Sequence, residues 1–191
     1  MKFVLVFFLA TSVSASVMAK EVDLSNFSDP TGVYNIAFCA RPSPDATGKP
    51  GHAFVSFSHL PHGGQRDFLA VGHTVSAGVG PAEAGWSFFG APVSGVLGEE
   101  KYTSIRQQCL DTQVNKADYD QARALATPAL ELMGIGQPGG SVFQAYKLGE
   151  EDCVTFMIEV ANILKPRGLN VPARGAAEAP MAYMERFIEA N

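Results

Sequence analysis

The hydrophobic positions of this chain change their spacing about halfway along it. In the first half, apolar residues fall in short runs, at 33–40, 52–58, 67–75 and 101–110, which are bounded by Pro, Gly and Asp. Alternation within these runs predicts strands, and the turn residues at 61–64 predict that the second and third strands form an antiparallel pair. Helical spacing begins after residue 115. Strands followed by helices, without βαβ alternation, indicate an α+β fold with an antiparallel sheet packed against helices.

The clearest predicted element is a helix that begins at residue 152 or 153. An apolar stripe at i, i+3, i+4 and i+7 spacing marks one face of this helix: Cys153, Phe156, Met157, Val160, Ile163 and Leu164. Asp152 is a candidate N-cap, and Pro166 with Gly168 predicts where the helix ends. A last amphipathic helix is expected after Pro180.

A Gly-rich segment at 76–98 has no strong periodicity and predicts a long loop with at most one short strand. It carries three aromatic residues, Trp86, Phe88 and Phe89. These side chains either line a binding groove or cover the core from outside, and the sequence leaves both interpretations open.

The N-terminus has the pattern of a secretory signal peptide. Lys2 precedes a short apolar run at 3–10, and small residues lead to Ala19, where we expect cleavage; cleavage after Ala15 is the alternative. The apolar run is too short to span a bilayer, and no second long one follows. We therefore expect a signal peptide at 1–19 and a single domain at 20–191, secreted into a bacterial periplasm without a membrane span.

Charge and composition exclude several classes of function. The chain has 14 Lys and Arg against 19 Asp and Glu, a net charge of −5, with no basic stripe that would bind nucleic acid. The glycines at 78–80 lack the spacing of a dinucleotide-binding loop, and the four histidines lack metal-ligand spacing. We expect no cofactor and no metal.

Three cysteines in an oxidising compartment leave at least one thiol unpaired. Cys39 and Cys109 each end a strand-like run, so a disulfide between them, with Cys153 free, is the economical pairing. Three buried, unpaired thiols are the alternative.

Cys153 is the candidate nucleophile. A thiol in the first turn of a helix faces unpaired backbone N–H groups, which favour the reactive thiolate, although the acidic residues at 150–152 oppose it. His52, at the start of a strand, is a candidate general base, and His73 on the partner strand is a candidate third member. Against this, Cys153 lies on an apolar stripe and can be a core residue, and either histidine can be a solvated strand end.

The order of these motifs is similar to that of a known superfamily. A Gly51-His52 pair that opens a strand, a Gly-rich aromatic loop, and Tyr146-x-Leu148 leading into 152–156 (DCVTF) resemble the circularly permuted branch of the NlpC/P60 papain-like proteins. The resemblance implies a permuted papain-like architecture in which Cys153 is the nucleophile, His52 the base and His73 the third polar residue. It also implies that the backbone N–H of Cys153 helps to bind the oxyanion.

The function expected from this resemblance is a secreted cysteine amidase or peptidase that acts through an acyl-enzyme. Peptidoglycan stem peptides are the favoured substrate, a preference that rests on compartment and family. One alternative keeps the chemistry but changes the substrate to lipid or other acyl esters, with Trp86, Phe88 and Phe89 lining an acyl groove. Another is a non-catalytic binding protein in which Cys153 is structural.

Overall fold

The computed structural model describes residues 19–26, 28–43, 50–102, 106–126 and 143–191. Its described part is a mixed seven-stranded sheet with four helices, which confirms the α+β class. The strand order is β1-β6-β2-β3-β4-β5-β7. The strands are β1 (Ala19–Asp23), β2 (Val33–Arg41), β3 (His52–Leu60), β4 (Asp67–Val75), β5 (Val93–Glu99), β6 (Gln108–Val114) and β7 (Ala145–Tyr146).

The centre of the sheet is antiparallel, as the turn residues predict. β2 pairs with β3 along its whole length, from Val33 opposite Leu60 to Arg41 opposite His52. β4 pairs with β3 on one side and with β5 on the other. The exception is β1, which runs parallel to β6 at the sheet edge.

The helices are α1 (Pro81–Trp86), α2 (Lys116–Ala124), α3 (Cys153–Leu164) and α4 (Pro180–Glu189). Asp152 is the N-cap of α3, as predicted, and a short 3-10 turn, Lys165–Arg167, follows the helix. Gly168 then adopts a left-handed conformation with φ 103°, which a residue with a Cβ rarely adopts. The helix therefore starts and stops where its capping residues predict.

The two faces of the sheet bury different sets of side chains. Alternate residues of β3, Ala53, Val55 and Phe57, pack in the main core with the apolar stripe of α3. The intervening Phe54 lies in a small second cluster on the other face, with Ala37, Cys39, Ala70 and Cys109. A disulfide joins Cys39 to Cys109 across β2 and β6, and Cys153 is free.

Three predicted elements differ from the structure. The strand expected at 101–110 lies at Gln108–Val114, where Leu110, Thr112 and Val114 are buried although the intervening positions are polar. Residues 21–23 lie before the first predicted strand, yet they belong to β1, whose polar side chains are mostly exposed at the edge. The segment 76–98, expected to be mainly loop, contains α1 and most of β5.

Some predictions fall on residues outside the described ranges. Residues 1–18 of the expected signal peptide are among them, as is part of the helical region predicted after residue 115, at 127–142. Within the described ranges, no helix is both long and apolar enough to cross a membrane.

Candidate functional site

Cys153 is the first residue of α3, and its side chain lies beside a cavity. The residue is only 3% exposed, yet it lines a cavity of about 180 Å³ together with Phe88, Tyr146 and Leu148. The cavity lies where the loop before α3 meets the segment after Gly168. A small group could therefore reach the sulfur without passing through the core.

Asp152 fixes the start of α3. Its carboxylate, 1% exposed, accepts hydrogen bonds from the backbone N–H groups of Gly149, Val154 and Thr155. It also forms a two-pronged ion pair with Arg174, at 2.7 and 2.8 Å. One buried carboxylate thereby connects three segments: the loop before α3, the first turn of α3 and the region around Arg174.

The same carboxylate acts against thiolate formation at Cys153. Burial, and then the charge of Asp152, raises the pKa of the Cys153 thiol to about 12, and the backbone N–H groups of Ala53 and Val154 offset only part of this. The expectation that the helix start makes this sulfur acidic is therefore wrong. At neutral pH the free protein carries a thiol, so any nucleophilic chemistry requires a base.

His73 lies on the α3 side of the sheet. It follows the core residues Leu69 and Val71 at alternate positions of β4, and its ring contacts Phe143, which in turn contacts Phe156 of α3. Its ring is fully buried and also contacts Tyr146, which lines the cysteine cavity. His73 thus lies on the same side of the sheet as Cys153.

The imidazole of His73 is held neutral and without a firm partner. Burial lowers its pKa, an effect that the backbone of Asp152 and Ala145 partly offsets. Neither ring nitrogen forms a hydrogen bond of ordinary geometry with the rest of the described chain. A buried polar group left unsatisfied is destabilising by about 1–3 kcal/mol, and in native proteins it often has a functional explanation.

His52 lies on the opposite face of the sheet. It precedes Ala53, which faces α3, and it pairs with Arg41 across β2, so its side chain points away from the helix. Its Nε2 is 3.7 Å from a carboxylate oxygen of Glu100, and the ring occupies the space that a Cβ on Gly72 would need. A role for His52 as the base therefore remains a prediction from the resemblance.

The protonation of His52 predicts how stability depends on pH. Burial, which outweighs the attraction of Glu100, lowers the pKa of His52 to about 4 from an ordinary 6.5. Between these pH values the unfolded chain binds a proton that the folded chain does not. The free energy of unfolding should therefore fall as the pH falls from about 6.5 to 4, by up to about 1.4 kcal/mol per pH unit.

Urea denaturation of the wild type and of His52→Gln at pH 7 and 4.5 measures this contribution. His52→Gln should lose less stability on acidification than the wild type, because glutamine does not titrate. Equal losses in the two proteins would show that the imidazole has no shifted pKa.

The three aromatic residues predicted to bind substrate are placed differently from one another. Phe88 lines the cysteine cavity, whereas Trp86 and Phe89 are 71% and 80% exposed. The ring of Phe89 contacts both of the others, so the three form one surface cluster beside the cavity.

Several residues of this site were not singled out as site residues from the sequence. Arg174 reaches the N-cap of α3 from a distant segment, Tyr146 lines the cysteine cavity from the strand just before the helix, and Glu100, which follows β5, reaches His52. Of these residues, only Tyr146 belongs to a motif that the sequence shows, the one that precedes the cysteine helix.

Over the described parts of the chain, no group of three His, Cys, Asp or Glu side chains could hold a metal ion.

Comparison with known proteins adds no relative. No family model matches the chain, and no curated protein or solved structure does either.

Proposed function

We propose that the protein is a secreted cysteine hydrolase of permuted papain-like architecture that cleaves amide bonds through an acyl-enzyme on Cys153. One observation carries the proposal: a free cysteine at a helix start borders a cavity, and a buried, neutral imidazole lies on the same side of the sheet. Thiol chemistry with a general base requires such a pair to come within hydrogen-bond reach of each other during the reaction.

In the proposed reaction His73 is the base. Its neutral ring takes the proton of the Cys153 thiol while the sulfur forms a bond to the substrate carbonyl carbon. The backbone N–H of Cys153 stabilises the oxyanion, because the start of a helix leaves such groups without an intrahelical partner.

The second half of the reaction releases the products. The C–N bond breaks as the imidazolium gives its proton to the leaving amine, which leaves a thioester on Cys153. Water then attacks the thioester carbon as the imidazole takes one of its protons. The C–S bond breaks, the imidazolium returns the proton to the sulfur, and the carboxylic acid leaves.

The favoured substrates are peptidoglycan stem peptides, a choice that rests on the resemblance and on the expected periplasmic location. Lipid or other acyl esters are the alternative substrate for the same chemistry. The exposed Trp86 and Phe89 beside Phe88 favour that alternative, because they offer an apolar approach to the cysteine cavity.

A non-catalytic binding protein is the second candidate. The raised pKa of Cys153, about 12, favours this interpretation because it is the value of an inert, buried thiol. In that case the cavity beside the sulfur would be a ligand site and Cys153 would be part of its wall.

Acylation by p-nitrophenyl acetate separates the catalytic and binding functions. We expect mass spectrometry to find an acetyl group on Cys153 in the wild type and none in Cys153→Ser, whose hydroxyl is a weaker nucleophile. Purified sacculi and a fatty acyl p-nitrophenyl ester, supplied separately, then distinguish the two substrate classes by the product released. Release at an equal rate by Cys153→Ala would refute the thiol mechanism.

A further inference from the structure

The cavity beside Cys153 does not end at the cysteine. A second cavity of about 440 Å³ shares Pro50, Gly51, Tyr146 and Leu148 with it. A third, of about 320 Å³, shares Gly51, His52 and Thr74 with the second. Because neighbouring cavities share their walls and Gly51 lines all three, they follow one another around the Gly51 end of the sheet.

The third cavity, on the face away from α3, has a rigid polar wall. Arg41 forms a buried ion pair with Glu100, donating to both carboxylate oxygens at 2.9 and 3.1 Å, and its guanidinium lies 4.9 Å from the ring centre of Tyr102. Glu100 also accepts the backbone N–H of Tyr102 at 2.7 Å. These contacts hold charged groups in place before any ligand arrives.

The floor of the third cavity contains two paired strand glycines that differ in their surroundings. Gly72 and Gly98 are opposite each other in β4 and β5. The ring of His52 fills the space above Gly72, whereas among the described residues a Cβ on Gly98 would meet only a methyl group of Thr74, at 3.5 Å. Glycine inside a strand often marks a place where another backbone approaches closely, and the space above Gly98 is open to one.

We propose that the three cavities form one groove that binds an extended peptide chain, with one end at Cys153 and the other in the subsite of Arg41, His52 and Glu100. His52 is then a wall of the substrate groove at the turn between the two faces. The position of the scissile bond rests on the proposed function, but binding of the peptide along the groove does not require the sulfur to react.

A titration followed by NMR tests the groove independently of catalysis. The protein is Cys153→Ala, and the ligands are acetyl-tetra-alanine amide and acetyl-alanine methylamide. The longer peptide should bind at least about tenfold more tightly. It should shift the amide signals of Gly149, at the cysteine end, and of Lys101, at the far end, whereas the shorter one should shift at most one of them.

A substitution in the groove floor provides the decisive comparison. Gly98→Leu, added to Cys153→Ala, places a side chain in the third cavity while leaving every charged residue of its wall in the sequence, and it should reduce the advantage of the longer peptide to less than twofold. Gly80→Leu is the matched control and should leave the advantage unchanged, because Gly80 lines none of the three cavities and a Cβ there would meet no other described residue within 4 Å. Equal affinity for the two peptides, or a full length advantage in Gly98→Leu, would overturn the groove, whereas a lack of acetylation at Cys153 would bear only on the hydrolase.

Discussion

Replacing His73 with glutamine should slow the acetylation of Cys153 by p-nitrophenyl acetate by about 100- to 10,000-fold, the usual contribution of a general base. The thiol is not ionised at neutral pH because burial and Asp152 raise its pKa to about 12. Attack therefore depends on a neutral imidazole that can accept the proton. His73 has the required protonation state, since burial lowers its pKa. Single-turnover kinetics, followed by p-nitrophenolate release, measure the effect.

His62→Gln is the matched control for this experiment. Its side chain is exposed in the turn between β3 and β4, so the acetylation rate should stay within about threefold of the wild type. The pH profile tests whether His73 acts as a base, because a purely structural residue would not set it. The wild-type acetylation rate should fall on acidification with a midpoint below pH 6.5, the ordinary pKa of an imidazole. A large loss in His52→Gln, with little change in His73→Gln, would return the base to His52.

The cysteine helix could be predicted because its signals are local. The apolar stripe and the N-cap at Asp152 both lie within one short segment, and the structure begins and caps α3 there. β1 and β6 were missed or misplaced because their evidence is not local. β1 is an exposed polar edge strand. In β6, polar residues alternate with buried ones, and such a sequence resembles a loop unless its pairing with β2 is known.

The sequence also contained evidence about which histidine faces the cysteine. In the run at 52–58, Ala53, Val55 and Phe57 form the wholly apolar side, which is the side that packs against helices. His52 alternates with these residues and must face the other way. In β4, Leu69 and Val71 place His73 on the helix side by the same argument. The resemblance favoured His52, whereas strand alternation alone favours His73.

The pKa of the thiol could not be predicted from the helix start alone. Backbone N–H groups do favour the thiolate, but the N-cap that fixes the helix start is itself a buried anion next to the sulfur. The depth of burial depends on segments far away in the chain, such as Arg174, whose pairing with Asp152 closes this end of the cavity. The same residue that positions Cys153 therefore also suppresses its ionisation.

Replacing Asp152 with asparagine should lower the free energy of unfolding by about 3–5 kcal/mol, because it leaves the Arg174 guanidinium without its buried counter-ion. In the wild type the carboxylate accepts hydrogen bonds from backbone N–H groups, including that of Val154. The asparagine amide would place its own N–H donors against some of these backbone donors. Guanidinium chloride denaturation measures the loss. Asp120→Asn is the control: it removes the exposed ion pair with Lys116 and should change stability by less than about 0.5 kcal/mol.

Two further measurements separate the charge effect from general damage. Adding Arg174→Met to Asp152→Asn removes the uncompensated cation, so the double variant should recover part of the lost stability. Where the single variant remains folded, Cys153 should react faster with iodoacetamide at pH 9 than in the wild type, because the charge of Asp152 raises the thiol pKa. An Asp152→Asn protein with wild-type stability and wild-type thiol reactivity would show that this carboxylate neither anchors the helix nor controls the sulfur.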